Sequence, residues 1–315
     1  MRKRMTTLIL AAAMIATAAP TAHAAANNGF YRSTLANDWE RGLYDACLKT
    51  WKSRKSYAVT YRPQGGARFA TYEALKTVCR DVAWKAAKDH PEIFWMAYTQ
   101  KPEVTGYSKP GGYLYSEAGK PLTVKVKCAY DVISKRSVSD KFENALNVLR
   151  SKKDEAIVRL QKKKPAAYRE LLAINEAMMK YGIDYDASKM SETGKGWKYQ
   201  NAYSAAVEHK AICVGYASLF KILCDESGIE CLVVEGTGVN RNGTTESHGW
   251  NLVKLSGKWY IVDQSLNLNK DSKRTYGKLF LVGTDTVLSG RRIGSVLIPS
   301  SEHKYPTISK KAYGA

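Results

Sequence analysis

Three residues of this chain have types and spacing suited to covalent chemistry: Cys213, His248 and Asp263. Cys213 lies in E-H-K-A-I-C-V-G-Y-A-S-L-F-K-I-L-C-D-E-S-G-I-E-C-L-V-V-E-G, residues 208–236. There Ile212, Tyr216, Leu219, Phe220 and Leu223 recur on one helical face, and Gly228 stops the helix before a β-branched strand. The pattern puts Cys213 in the first turn, where the positive end of the helix dipole and unpaired backbone N–H groups favour thiolate. His248 and Asp263 bracket S-H-G-W-N-L-V-K-L-S-G-K-W-Y-I-V-D-Q-S, residues 247–265, which reads as two strands joined at Ser256-Gly257. A two-residue turn there pairs Leu255 with Lys258, Trp250 with Asp263 and His248 with Ser265. In that register His248 and Asp263 share a face as diagonal neighbours, and a slip of one residue would separate them.

A thiolate, an imidazole base and a carboxylate that orients it form the Cys-His-Asp version of an acyl-transfer triad. Cys213 is the expected nucleophile, His248 the general base and acid, and Asp263 the group that fixes the imidazole tautomer. The backbone N–H of Cys213 is expected to hold part of the oxyanion, with Gln200 and Asn201 as upstream candidates for a second donor. Each residue also has a blander reading. Free cysteines are among the most buried residues, and Cys224, late in the helix, and Cys231, inside a strand, fit that description. His209 is a rival base with only Glu208 as an acid partner and reads as a surface residue. His90 and His303 sit near prolines in loop-like sequence. Trp250 and Trp259 read as core under the hairpin, with Trp250 also a candidate wall of the groove, and Glu246 is a minor hydrogen-bonding candidate near His248.

The ordered runs C-V-G-Y-A-S-L-F, G-I-E-C-L-V-V-E-G, H-G-W-N-L-V and K-W-Y-I-V-D-Q-S resemble the core of the transglutaminase-like superfamily. That family has Gly-Tyr-Ala after the nucleophilic Cys, then His-Ala-Trp-Asn, then Trp-Tyr-x-Val-Asp. The resemblance spans residues 198–268, and H-P-E-I-F-W and Y-G-I-D-Y-D resemble segments of secreted bacterial members. It implies the nucleophile at Cys213, the base at His248 and the third member at Asp263. Two positions depart from the pattern: Gly249 stands for Ala, and Ser265 and Leu266 follow Asp263 where Thr and an aromatic residue are usual. The implied fold is α+β, a papain-like or transglutaminase-like core in which the nucleophile helix packs on an antiparallel sheet. A papain-type chain order itself is disfavoured, because the step from Cys213 to His248 is short.

The elements that must position these residues follow from periodicity. Residues 34–56 and 68–89 carry apolar residues at helical spacing. H-P-E-I-F-W stops the second helix, and residues 111–130 read as a hairpin turning at Ala118-Gly119, with Val124, Val126 and Cys128 alternating against lysines. A further helix is expected from an N-cap at Ser139, broken at Pro165. The division expected is a signal peptide over 1–24, an N-terminal helical and hairpin region over 25–138, and a catalytic domain over 139–315.

The first residues, M-R-K-R, an apolar Ala-rich run and A-H-A, have the order of a secretory signal with cleavage after Ala24, and the run is too short to span a membrane well. A secreted or periplasmic location is therefore expected. About 290 residues remain, with 44% hydrophobic residues in the whole chain, enough for a substantial core. The net charge of +20 is spread along the chain except at residues 152–164. It fits attraction to an anionic wall or surface better than nucleic-acid binding. Six cysteines lack any C-x-x-C spacing, so no structural zinc and no cofactor are expected, and Cys224 with Cys231 is the first candidate disulfide.

The expected function is a secreted thiol enzyme acting on amide bonds of a protein or peptide substrate, either as a peptidase or amidase or by transferring glutamine acyl groups to amines. The expected partner is that substrate at a cell wall, with neither nucleic acid nor stable membrane insertion. The competing expectations are an inactive cell-wall or surface-binding protein on the same fold, and a disulfide-stapled domain in which Cys213 is bridged.

Overall fold

The structure, a computed structural model, describes residues 29–96, 102–126, 129–160, 165–186, 188, 196–268 and 279–314. The expected signal segment, Cys128 and most of the lysine run near Pro165 lie outside these residues. The fold is α+β.

The N-terminal region contains α1 (Phe30–Ser33), α2 (Asp38–Ser53), β1 (Ala58–Tyr61), β2 (Ala67–Phe69), α3 (Tyr72–Asp89), β3 (Glu103–Thr105), β4 (Leu114–Ser116) and β5 (Leu122–Lys125). The two long helices begin where their caps dictate: Asn37 accepts from the backbone N–H of Glu40, and Thr71 from that of Ala74. The expected hairpin around Ala118-Gly119 is not one. β5 is the middle strand between β1 and β3, whereas β4 pairs with β2. The turn is real, with Gly119 at φ 72°, but its backbone N–H goes to Pro63, and Pro121 has none to donate. The two runs are therefore led to different partners. The alternation itself holds, with Val124 and Val126 buried and Lys125 exposed.

Next come α4 (Arg136–Arg159), α5 (Ala166–Tyr181), β6 (Asp184–Tyr185), α6 (Ala202–Ala206), β7 (Lys210–Ala211) and α7 (Cys213–Glu226). α4 starts before Ser139, which lies inside the helix and does not cap it. Gly182, at φ 76°, closes α5. α7 is buried along every side from Cys213 to Cys224, as a central core helix must be. Its one buried lysine, Lys221, is satisfied by Asp225 one turn later, at 2.8 and 3.0 Å.

The rest is β8 (Cys231–Val239), β9 (Thr245–Leu255), β10 (Lys258–Val262), α8 (Gln264–Leu268), β11 (Phe280–Val282), β12 (Val287–Leu288), β13 (Arg291–Arg292) and β14 (Leu297–Pro299). Five strands form one antiparallel sheet in the order β11-β10-β9-β8-β14. Lys258 pairs with Leu255 as expected, and Ser256 and Gly257 both take positive φ, 50° and 76°, the signature of a type I′ turn. The sheet has two covered faces. Cys231, Val253, Leu255, Tyr260 and Val262 join a core that also contains α7 residues and Trp39, Leu75 and Val124 of the N-terminal region. Leu232, Val234, Trp250, Leu252 and Ile261 face a second core closed by Leu279, Ile293 and Leu297.

The expected Cys224–Cys231 disulfide is not formed. Both thiols are free and buried, and they meet as hydrogen-bonding neighbours rather than as a bonded pair. Burial pushes the thiols of Cys47 and Cys224 up, and that of Cys79 up to about 12, so these three stay protonated as packing groups.

Candidate active site

Cys213 is the first helical residue of α7, after Ile212 in extended conformation. The first N–H groups of a helix have no intrahelical acceptor, so this turn offers free donors beside the thiol. Three contacts fix where that turn sits. The Tyr216 hydroxyl donates to the Ile183 carbonyl at 2.7 Å. Asn251 on β9 donates through Nδ2 to the carbonyls of Ala217 and Leu232, at 2.9 and 3.1 Å, pinning α7 to β8 and β9. Gly215 leaves room for the chain before α6: a Cβ there would lie 2.8 Å from the carbonyl oxygen of Tyr199 and 3.1 Å from that of Asn201.

Gly249 makes a similar allowance on the sheet. A Cβ at that position would sit 2.7 Å from Val214 Cγ2, closer than real Cβ contacts come. The first turn of α7 therefore rests directly on the bare backbone of β9, one residue from His248.

His248 Nε2–H donates to Asp263 Oδ2 at 2.7 Å, with the imidazole 5% exposed and Asp263 fully buried. The imidazole also shares a hydrogen bond with Cys213. With Nε2 committed to the carboxylate, Nδ1 is the nitrogen left to face the thiol. Burial alone would discourage charge on this ring, but the attraction of Asp263 and then of Cys213 outweighs it, and the pKa of His248 is raised well above the usual imidazole value. The indole of Trp250 lies nearly parallel to the imidazole, with ring centroids 5.9 Å apart.

β10 ends at Val262, so Ser265 does not stand opposite His248. The backbone N–H of Asp263 goes to Leu279 at 2.8 Å, and its side chain turns the chain into α8 by accepting from the Leu266 N–H at 3.1 Å and the Ser265 hydroxyl at 2.8 Å. The carboxylate thus caps a helix with Oδ1 and orients the histidine with Oδ2. Sequence reading missed that role, although Asp is a favoured N-cap residue and stands directly before α8.

Cys213 is 3% exposed, packed with Val214, Ala217 and Val233 and flanked by Tyr185. Tyr185 is held in place by the two-residue parallel pairing of β6 with β7, immediately before the thiol. A recess of about 10 Å³, the room of a single water, lies beside His248 between Glu246, Leu266 and Val296.

The other candidates fall elsewhere. His209 stacks on Tyr181 with its backbone at φ 52°. His90 is engaged with Glu92 and Lys52. His303 stacks on Trp84 at 3.9 Å, and burial lowers its pKa. Asn201 caps α6, accepting from the Ser204 N–H, while its amide donates to the Lys198 carbonyl and its side chain also hydrogen-bonds Tyr130. Gln200 is half-buried. Trp250 is core, and Trp259 is half-buried at its edge. Among the described residues no cluster of three or more metal-ligating side chains occurs, and no helix is long and apolar enough to cross a membrane.

Residues 155–264 match the family model of the transglutaminase-like superfamily. Kyphoscoliosis peptidase of Mus musculus is 38% identical over 64 residues, as is that of Homo sapiens; the match takes in 18% of this chain. The chain spans only 10% of the length of these curated relatives. Similar solved structures include a TGase, at 12% identity and a TM-score of 0.32, covering 55% of this chain and 45% of that one. Another is the periplasmic domain of TgpA from Pseudomonas aeruginosa bound to ethylmercury, at 13% identity and a TM-score of 0.28, covering 55% of this chain and 68% of that one.

Proposed function

We propose that the transglutaminase-like stretch at residues 155–264 makes this protein a thiol-dependent acyl-transfer enzyme, acting on amide bonds of protein or peptide substrates through Cys213, His248 and Asp263. The observation that supports this reading most is the chain of hydrogen bonds from Cys213 to His248 to Asp263, beginning at the first turn of a helix.

The reaction follows from the geometry. Cys213 Sγ attacks the substrate carbonyl carbon, while the thiol proton resides on His248 Nδ1. The tetrahedral oxyanion is met by the free N–H groups at the start of α7. His248 then passes its proton to the departing amine as the C–N bond breaks, leaving a thioester on Cys213. Water or a primary amine, deprotonated by the same imidazole, attacks the thioester and returns the thiol. Asp263 orients the imidazole and steadies the imidazolium.

The N-terminal sequence supports a role outside the cytoplasm: a mature chain beginning at Ala25 is expected and is read by intact mass. The catalytic unit is assigned to residues 139–315, with residues 25–138 built onto it. Incubation with a glutamine donor and a fluorescent amine scores transfer, and a peptide library read by mass spectrometry scores hydrolysis. Cys213→Ala is expected to abolish whichever appears. Neither product with the wild-type chain, together with a Cys213 no more reactive than a free thiol, would favour a surface-binding protein instead.

A further inference from the structure

Asp263 has two carboxylate oxygens, and only Oδ2 meets His248, at 2.7 Å. Oδ1 is held from two directions, by the Leu266 backbone N–H at 3.1 Å and by the Ser265 hydroxyl at 2.8 Å. Ser265 is 1% exposed and Asp263 fully buried, so solvent is not on hand to replace that hydroxyl. We propose that Ser265 is a positioning residue of the active site, its hydroxyl locking the plane of the Asp263 carboxylate so that Oδ2 fixes the tautomer and tilt of His248. This rests on the reading of Cys213, His248 and Asp263 as the reacting group.

The physical reason is the freedom of the last torsion of an aspartate, which is broad and two-fold. With only the Leu266 N–H on Oδ1 and the imidazole on Oδ2, the carboxylate can still tilt about the line between its two oxygens. A second donor from the next turn of chain sets its plane. A base that must hand a proton between a thiol and a leaving amine depends on that orientation, because misplacing the imidazole spoils both transfers. Among the described residues no other side chain bonds Oδ1, and Gln264, the residue between, donates its amide to Asn175 on α5.

The test compares Ser265→Thr, which keeps the hydroxyl, with Ser265→Val, which has the shape of threonine without it, and with Ser265→Ala. Two readouts are taken on the full mature chain: the NMR titration of the His248 ring, and kcat and KM for hydrolysis of p-nitrophenyl acetate. Ser265→Thr is expected to behave as the parent. The Val and Ala variants are expected to lose roughly tenfold in kcat, with KM within about twofold. In both, the titration midpoint of His248 moves down toward the ordinary imidazole value, because a loosened carboxylate supports the charged ring less well. An unchanged midpoint in Ser265→Ala, or equal losses in the Thr and Val variants, would overturn the proposal. The ring titration needs no substrate, so it separates failure of this inference from failure of the proposed activity.

Discussion

At the scale of single residues, the behaviour of His248 is the most informative quantity. Its pKa is raised against its own burial by Asp263 and Cys213. A group whose folded pKa lies above its unfolded value adds stability that is fully present below the unfolded value, near 6.5, and is lost as pH rises through the folded one. Asp263→Asn is therefore expected to cost more stability at pH 6 than at pH 10, measured by urea unfolding at the two pH values. The same substitution should move the basic limb of the kcat/KM profile to lower pH and reduce kcat by about 10²–10⁴-fold, since the base loses its orienter. Cys213, His248 and Asp263 were legible in the sequence because each type has a reason to be where it is and strand parity links two of them. Ser265 was misplaced because parity was carried one element too far: the side chain of Asp263 itself ends the strand and opens α8.

At the scale of elements, the contact between α7 and β9 carries the geometry. Gly249 and Val214 are matched in size, and a Cβ on residue 249 would meet Val214 Cγ2 at 2.7 Å. Gly249→Ala is expected to destabilise the fold by ~1–3 kcal/mol through overpacking and to lower kcat by lifting the thiol away from His248. Adding Val214→Ala removes the offending methyl groups and should recover most of both losses, a coupling that a double-mutant cycle measures. The hairpin register could be read from Ser256-Gly257 because a type I′ turn demands residues tolerant of positive φ. The pairing of β4 and β5 could not. Their turn is visible in the sequence, but which strands flank each of them depends on β1, β2 and β3, which lie far away in the chain or carry weak patterns of their own.

At the scale of the whole molecule, the N-terminal region is built into the support of the site. Tyr31 donates its hydroxyl to the carbonyl of Val233, which packs against Cys213, and its backbone N–H goes to Asp89 at the end of α3. Lys88, 2% exposed, forms an ion pair with Glu235 on β8, and Trp84 Nε1 donates to the same carboxylate. Glu235→Gln removes the carboxylate charge beside that ammonium and should destabilise the protein by ~1–3 kcal/mol, read as a lower midpoint in urea without a change in slope. One core includes Trp39, Leu75 and Val124 together with Tyr216, Phe220 and Val253. A chain of residues 139–315 alone is accordingly expected to lack a cooperative unfolding transition, which circular dichroism with temperature would show. None of these links is visible in the sequence, since a hydrogen bond spanning 202 residues leaves no periodic trace.

The central claim is that Cys213 is a nucleophile activated by His248 and Asp263, and the rate of its alkylation tests that most directly. Iodoacetamide at neutral pH, with the modified site located by peptide mass mapping, is expected to modify Cys213 at least ~10-fold faster than a small model thiol. His248→Ala should bring it down to the model rate. Alkylation of native Cys213 no faster than the model thiol, or a rate that His248→Ala leaves unchanged, would contradict the account.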